Sequence, residues 1–196
     1  MIRIRLSVGA FGHDARMTVL LVGDSNLALL YDKLPDLVPQ AFGADVECRA
    51  AGGAWSGSLR HQIGDRAASD YEAVVVSIGS SDSHPPYGSS PAIFRENLAR
   101  ELGSGGRWIA LLPRDLLRAL DPSTTDEINT RIRTYSGILA ELVKASGGIA
   151  LDVGAITGTP APAAYDDDGI HLTRGAYEKL VPEIANAIKQ GGRPMR

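Results

Sequence analysis

The sequence predicts an α/β fold built on a five-stranded, mainly parallel β-sheet. Short runs of aliphatic residues recur along the chain, and amphipathic helical patterns lie between them. Alternation of strand and helix is typical of α/β proteins with a parallel sheet, and right-handed crossovers place the helices on both faces. We therefore expect a three-layer α/β/α architecture.

The first predicted strand covers residues 18–22, which read TVLLV. A run that is apolar on both sides is typical of a strand buried on both faces of a parallel sheet. The other strands are predicted at similar short runs, which are rich in β-branched or aliphatic residues. They cover residues 46–50, 73–78, 108–112 and 149–153.

The clearest predicted helix covers residues 125–145. Its apolar residues recur at intervals of three and four, which places them on one face of a helix. They are Ile128, Ile132, Tyr135, Leu139 and Leu142. Ser123 stands three residues before Asp126, a spacing that resembles a capping box with Asp in place of the usual Glu. This pair is therefore expected to cap the start of the helix.

Two further helices are predicted at residues 92–102 and 173–189. Pro182 lies inside the second of them. Proline removes a backbone donor and clashes with the preceding turn of a helix. We therefore expect Pro182 to kink or divide this helix.

Length and composition bound the class of protein. The chain has 196 residues, 44% of them apolar and 22% charged, which is typical of a globular domain with a substantial core. We predict a single domain over residues 1–196. The formal charge of −3 and the lack of a basic stripe argue against a nucleic-acid partner. A single cysteine, Cys48, cannot form an internal disulfide, and no Cys/His cluster has zinc spacing, so no metal or cofactor is predicted.

The sequence contains no predicted membrane-spanning segment, because no apolar run reaches the ~18 residues that this requires. The N-terminal residues MIRIRLSV alternate apolar and polar and do not form a signal-peptide core. A cytoplasmic location is the resulting expectation. Residues 1–16 are predicted either to add an edge strand or to precede a natural start at Met17, since MTVLLVGDS opens directly into the first strand.

Ligands of parallel α/β sheets bind at the carboxyl ends of the strands, so the residues after each strand are candidates for chemistry. Gly23-Asp24-Ser25 follows the first strand. Glycine permits a sharp turn, and a serine close to a helix N-terminus lies where backbone N–H groups favour a developing anion. Ser25 is therefore a candidate nucleophile, although serine is also a common N-cap. Asp24 is expected to anchor the turn.

Two further loops supply candidate donors to an anion. The Gly-rich residues 52–58 follow the second strand, where glycine lets backbone N–H groups approach a ligand oxygen or simply allows a turn. Residues 79–82, which read GSSD, follow the third strand. His84, in the same loop, is expected to be a pocket-edge histidine and not a base. Three residues that flank strand ends are candidates to line the pocket, although packing or solvation is their expected role, namely Trp55, Tyr87 and Arg114.

The last predicted strand is followed, after a Pro-rich loop, by Asp168-Gly169-Ile170-His171. A general base needs an imidazole whose other nitrogen is oriented by a carboxylate. Asp168 can fold back onto His171 through a tight turn that contains Gly169. The alternative is an acidic surface loop that precedes a histidine at the start of a helix.

The order of these motifs resembles that of the SGNH hydrolase superfamily, also called GDSL-like esterases, over about residues 19–189. Gly23-Asp24-Ser25 looks like the first block of the family, and Asp168 and His171 match its last block, DxxH. The resemblance implies a flavodoxin-like fold and metal-free ester hydrolysis by Ser25, His171 and Asp168. The chain has no GxSxG motif, which argues against the nucleophile elbow of the α/β-hydrolases.

The resemblance also implies the donors of an oxyanion hole. Ser56-Gly57 looks like the second block, so the N–H of Gly57 is the predicted donor beside that of Ser25, with Gly53 as the alternative. One block departs from the pattern, because Ser81 stands where the family has asparagine. Serine keeps a donor but reaches less far, and loss of an oxyanion donor costs ~10²–10³ in turnover. We expect a working but altered oxyanion hole.

The sequence therefore predicts a serine esterase that cleaves a carboxylic ester, for example of an acetyl or short acyl group, through an acyl-enzyme. An acyltransferase with the same triad stays open, because only the acceptor differs. A non-catalytic binding module of the same fold is the third reading, favoured by Ser81 alone. The expected partner is a small-molecule, carbohydrate or lipid ester, and the oligomeric state stays open.

Overall fold

The structure, a computed structural model, describes residues 18–84 and 88–190. At its centre lies a parallel five-stranded sheet with the strand order β2-β1-β3-β4-β5. The strands are β1 (Thr18–Gly23), β2 (Asp45–Cys48), β3 (Ala73–Ser77), β4 (Trp108–Leu112) and β5 (Ile149–Asp152). Each predicted strand is present, and no boundary differs from its prediction by more than two residues.

Helices cover both faces of the sheet. Within the described residues they are α1 (Ser25–Lys33), α2 (Leu37–Phe42), α3 (Leu59–Ile63), α4 (Pro91–Leu102), α5 (Thr125–Ala145), α6 (Val153–Thr157) and α7 (Arg174–Gln190). Helices α1, α2, α6 and α7 pack on one face, and α3, α4 and α5 pack on the other. The predicted three-layer α/β/α architecture is confirmed.

Strand β1 shows why an aliphatic run predicts a strand in this fold. Val19 and Leu21 face the layer that contains α1 and α7, whereas Leu20 and Val22 face α4 and α5. All four side chains are fully buried. Alternate side chains of a strand point to opposite faces, so a strand between two helical layers requires apolar residues at every position.

Strand β2 ends earlier than predicted, at Cys48, whose thiol is free and half-buried. Its backbone nevertheless stays beside β1. The N–H of Arg49 donates to the carbonyl of Leu21 at 2.8 Å, and the N–H of Ala51 donates to that of Gly23 at 3.0 Å. These bonds place the start of the Gly-rich loop at the carboxyl end of β1.

Helix α5 has the predicted bounds, but the predicted capping box is wrong. Ser123 lies in a 3-10 turn, Pro122–Thr124, that precedes the helix. Asp121 caps this turn, and its Oδ1 accepts from the N–H of Ser123 at 3.0 Å and from its hydroxyl at 2.7 Å. Because Ser123 already binds Asp121, it does not cap α5. Asp126, the other residue of the predicted capping box, lies within the helix.

Helix α7 runs without a break through Pro182, so the expectation that this proline divides the helix is wrong. Pro182 faces solvent, where water can satisfy the carbonyl of Glu178 that loses its intrahelical partner. The opposite side of the same turn is held in the core by Leu180, Val181 and Ile184, which are at most 1% exposed. Packing on the sheet therefore outweighs the local cost of proline.

Across residues 18–84 and 88–190, no helix combines the length and the apolar character that crossing a bilayer needs. The predictions for residues 1–16 and for a start at Met17 lie outside the described residues. A single domain over residues 1–196 and a cytoplasmic location stay predictions.

Candidate active site

The turn after β1 requires glycine at position 23. Gly23 has a φ of 121°, and a Cβ there would lie 1.8 Å from the carbonyl oxygen of Ser77. This close approach lets the N–H of Asp24 donate to the same oxygen at 2.8 Å. The side-chain amide of Gln62 binds both the N–H and the carbonyl of Gly23, at 2.6 and 3.0 Å. The chain therefore turns sharply, and α1 begins at Ser25.

Asp24, and not Ser25, is the N-cap of α1, so the reading of Ser25 as a cap is wrong. The Oδ1 of Asp24 accepts from the N–H of Asn26 at 3.0 Å and from the hydroxyl of Ser77 at 2.9 Å. Burial raises the pKa of this carboxyl, and the hydrogen bonds from Asn26 and Ser77 oppose the shift. Asp24 anchors the turn and leaves the hydroxyl of Ser25 free for another partner.

Ser25, His171 and Asp168 come together at this helix end. The Oγ of Ser25 lies 2.9 Å from Nε2 of His171, and Nδ1 of His171 lies 2.6 Å from Oδ2 of Asp168. The hydroxyl and the imidazole belong to residues that are 146 positions apart in the chain. Hydroxyl, imidazole and carboxylate thus form a continuous chain in which Nε2 is positioned to accept the hydroxyl proton.

Asp168 folds back onto His171 through the predicted tight turn, in which Gly169 has a φ of 71°. Its Oδ1 accepts from the N–H groups of Ile170 and His171, at 2.8 and 2.9 Å. Desolvation alone would raise the pKa of Asp168, but these N–H groups and the imidazole bind its charged form and lower the pKa to about 2. Near neutral pH the group is therefore a carboxylate, which holds the Nδ1 proton of His171.

Asp82 joins the loops that follow β2 and β3. Its Oδ2 accepts from the N–H of Ser56 at 3.0 Å, and its Oδ1 accepts from the hydroxyls of Ser56 and Ser89, at 2.7 and 2.5 Å. Burial raises the pKa of Asp82, whereas the bonds from Ser89 and Ser56 lower it. Because Ser56 begins the 3-10 turn Ser56–Ser58, Asp82 determines where Gly57 lies relative to Ser81.

Gly57 lies inside this turn, with the indole of Trp55 packed against it. A Cβ at Gly57 would lie 2.4 Å from the indole ring, so the contact requires glycine. Trp55 itself is 43% exposed and therefore also borders solvent. Gly53 lies at an exposed position of the loop with open space around it. The turn that Asp82 anchors thus holds Gly57 in a defined position, and the role of its N–H as an oxyanion donor stays a prediction.

Ser81 begins the 3-10 turn Ser81–Ser83, four residues after the end of β3. Strand β3 lies next to β1, so Ser81 and Ser25 follow neighbouring strands. The ring of His84 is held within its own loop, because its Nδ1 lies 2.8 Å from the carbonyl oxygen of Ser80. Tyr87 lies outside the described residues.

Two further residues support this site, of which the sequence missed Gln62 and pointed to Arg114 without its role. Gln62 carries no local signal, because its partner Gly23 is 39 positions away. Arg114 follows β4 closely, so its place at a strand end is a usable signal, but the expected role was packing or solvation. Its guanidinium instead hydrogen-bonds the side chain of Asn26 and the carbonyl of Ile170.

The fold matches solved structures of lipases and esterases. A lipase/acylhydrolase from Enterococcus faecalis has a TM-score of 0.74 and 22% identity, over 92% of this chain and 99% of that one. A GDSL-like lipase from Bacteroides thetaiotaomicron has a TM-score of 0.71 and 15% identity, over 89% and 88%. An acetylxylan esterase from Geobacillus stearothermophilus has a TM-score of 0.64 and 13% identity, over 92% and 97%. No family model and no curated protein matches the chain.

These similarities identify the fold as that of the SGNH hydrolases, the group that includes the GDSL-like lipases. The resemblance predicted from the order of the motifs is therefore confirmed at the level of the fold. Within that fold, this chain brings its own Ser25, His171 and Asp168 into hydrogen-bonding distance.

Proposed function

We propose that this protein is a serine esterase that cleaves a carboxylic ester through an acyl-enzyme. The observation that carries the proposal is the connected chain of the Ser25 hydroxyl, the His171 imidazole and the Asp168 carboxylate, with distances of 2.9 and 2.6 Å. Ser25 is the first residue of α1, where the helix dipole favours negative charge. The names of the solved structures with this fold, lipase, acylhydrolase and acetylxylan esterase, agree with that chemistry.

In the acylation half-reaction, Nε2 of His171 accepts the hydroxyl proton while Oγ of Ser25 attacks the ester carbonyl carbon. The tetrahedral intermediate then collapses, and His171 gives the proton to the leaving alcohol. Asp168 keeps the Nδ1 proton in place and stabilises the imidazolium. In the second half-reaction, His171 takes a proton from the water that attacks the acyl-enzyme. As the second tetrahedral intermediate collapses, His171 returns this proton to Oγ of Ser25, which releases the acid and the free serine.

The oxyanion of each tetrahedral intermediate is proposed to bind the N–H groups of Ser25 and Gly57, with the hydroxyl of Ser81 as a third donor. The first N–H groups of a helix have no acceptor within it, so the N–H of Ser25 is available. The bond between Asp82 and Ser56 supports the proposal, because it couples the loops that carry Gly57 and Ser81.

The substrate is proposed to be an acetyl or other short acyl ester of a small molecule, a carbohydrate or a lipid. The exposed side-chain fractions of His171 and Asp168 are 26% and 41%, so the triad lies close to solvent. Acyl groups short enough to need no deep cavity suit such an open site. The names of two solved structures with this fold, lipase/acylhydrolase and acetylxylan esterase, agree with an ester substrate, and the second agrees with an acetyl group.

Hydrolysis of p-nitrophenyl acetate, butyrate and octanoate tests the esterase proposal. We expect the wild type to turn over the shortest ester fastest. The Ser25→Ala variant should lose at least ~10³-fold in kcat, because the nucleophile is gone. Ser136→Ala, which removes a serine on α5 outside the triad, is the matched control and should keep wild-type turnover.

Activity retained by Ser25→Ala would contradict the assignment of the nucleophile. A folded wild type that is silent on all three esters would favour the binding module instead. Added acceptor alcohols separate hydrolysis from transfer, because an acyltransferase forms a new ester at the expense of the free acid.

A further inference from the structure

We propose that Arg114 is a positioning residue that holds Ser25 and His171 at reacting distance. The proposal rests on the esterase function proposed above. It concerns a side chain that follows β4 and belongs to neither the triad nor the oxyanion loops. Its evidence is a pair of hydrogen bonds that reach both halves of the site, namely the turn that carries Ser25 and the loop that carries His171.

The guanidinium of Arg114 contacts the direct chain neighbours of both reacting residues. Its Nη1 donates to the side-chain Oδ1 of Asn26 at 2.9 Å, and Asn26 follows Ser25. Its Nη2 donates to the carbonyl oxygen of Ile170 at 2.5 Å, and Ile170 precedes His171. Because a guanidinium is planar and rigid, these two bonds set the separation of the two backbone segments.

The same network continues to the N-cap of α1. The side-chain amide of Asn26 accepts from Arg114 through Oδ1 and donates through Nδ2 to Oδ1 of Asp24, at 3.0 Å. The side-chain amide of Asn26 thus bridges the buried guanidinium of Arg114 and the buried carboxyl group of Asp24. Ser25, the proposed nucleophile, lies between Asp24 and Asn26 in the chain. The orientation of Asn26 is fixed at both ends, and with it the first turn of α1.

Stability alone does not explain an arginine at this position. Arg114 is only 5% exposed, and desolvation lowers the pKa of its guanidinium, the sign of an unfavourable environment for charge. Apolar residues of similar volume often replace a buried charge at no net cost. The two directional bonds are what an apolar side chain cannot supply, and they point at the two halves of the site. Because Arg114 is buried and its two hydrogen bonds end on Asn26 and Ile170, its proposed action is on these two segments.

The loop that carries His171 has other attachments, so loss of Arg114 should not release it. Backbone N–H groups of Leu117 and Arg118 donate to the carbonyl of Gly169, at 2.9 and 3.2 Å. Lys33, at the far end of α1, donates to the carbonyl of Leu172 at 2.8 Å. None of these contacts reaches the turn that carries Ser25. Arg114 is the residue whose removal is expected to change the register of serine and histidine without unfolding the loop.

The test is the kinetics of Arg114→Met and Arg114→Lys on the best p-nitrophenyl ester. Small displacements of reacting groups can cost ~10²-fold in rate. We expect Arg114→Met to lose about 10- to 100-fold in kcat with KM changed by less than about threefold, since a positioning residue acts on the reacting groups and not on the binding of substrate. Lysine keeps the charge but lacks the planar guanidinium, so it can hydrogen-bond only one of Asn26 and Ile170 at a time. Arg114→Lys should therefore retain more of kcat than Arg114→Met but less than the wild type.

Arg107→Met is the matched control. Arg107 precedes β4 at the opposite end of the sheet, and it also joins two partners, through an ion pair with Oε1 of Glu72 at 2.9 Å and a hydrogen bond to the carbonyl of Ala187 at 3.0 Å. Its loss should lower the melting temperature without lowering kcat of the folded enzyme. Labelling of Ser25 by a fluorophosphonate provides a second readout, and its rate should fall in Arg114→Met only.

The outcomes separate the two proposals. If wild type neither turns over esters nor is labelled at Ser25, the esterase function fails and the positioning role fails with it. If wild type is active and Ser25→Ala is not, the function stands. In that case, an Arg114→Met kcat within twofold of wild type overturns the role of Arg114. Equal losses in Arg114→Met and Arg107→Met overturn it as well, because they would reflect stability alone.

Discussion

Ser81 stands where the SGNH pattern has asparagine, and its hydroxyl reaches less far than an amide. Its backbone position is set by its neighbour, because Asp82 is bound by Ser56 and Ser89 within the core. A change at position 81 therefore alters the length and chemistry of the donor more than the path of the chain. This makes residue 81 a direct probe of the proposed oxyanion hole.

We expect Ser81→Asn to raise kcat by about tenfold and Ser81→Ala to lower it by about tenfold. Both effects are smaller than the ~10²–10³ of a full donor, because the hydroxyl of Ser81 is proposed to supply only part of the bond. Steady-state kinetics on a short p-nitrophenyl ester measures both effects. If neither substitution changes kcat, Ser81 does not contact the oxyanion, and the N–H groups of Ser25 and Gly57 must suffice.

At the scale of elements, the sequence predicts long helices better than short ones. Helix α5 has 21 residues, and its apolar period is read over several turns. Helices α3 and α6 have five residues each, too few for a period to be recognised, and they were not predicted. Their positions follow from the glycine turns and loops around them, not from an amphipathic pattern.

The glycine turn after β1 should be intolerant of any side chain. We expect Gly23→Ala to lower the free energy of unfolding by about 3 kcal/mol or more, because its Cβ would lie 1.8 Å from the carbonyl oxygen of Ser77 and its φ is 121°. Gly137→Ala is the control, since Gly137 lies inside α5 with open space around it, and it should gain about 0.5–1 kcal/mol. Urea unfolding measures both. Equal small effects would show that the turn relaxes to accept a side chain.

At the scale of the whole molecule, the stability of the fold should depend on pH through Asp168. Folding lowers the pKa of this carboxyl from 3.8 to about 2, so the folded state favours the charged form. The stabilisation is fully present above about pH 4 and is lost as the pH falls through 2. Urea unfolding of wild type and Asp168→Asn should give free energies that converge over this interval. Asp24 and Asp82 are present in both proteins, so their raised pKa values cancel in the difference.

If the difference in unfolding free energy between wild type and Asp168→Asn stays constant from about pH 5 to about pH 2.5, the lowered pKa of Asp168 is contradicted. The same value predicts that Asp168 stays ionised across the acid limb of the rate profile. The acid limb of kcat/KM for the wild type should therefore report the protonation of another group, and Asp168→Asn should lower the plateau.

Residue patterns alone predict the layers of this molecule and its candidate triad. A strand between two helical layers must be apolar at every position, as in residues 18–22, and a helix on the sheet must be apolar every three or four residues, as in α5. Asp168 and His171 lie three positions apart, so their contact is local and could be predicted from a turn. Gly23 and Ser25 are likewise neighbours.

Which distant groups meet depends on how the elements pack in three dimensions. The bond between Ser25 and His171 joins residues 146 positions apart, and that between Arg114 and Asn26 joins residues 88 positions apart. Asp82 binds Ser56 across 26 positions, and Pro182 remains helical because its neighbours are held in the core. Such contacts depend on the strand order β2-β1-β3-β4-β5, which places the ends of β1, β3 and β4 side by side. Local patterns specify which elements form, whereas the packing of those elements determines which side chains share an edge of the sheet.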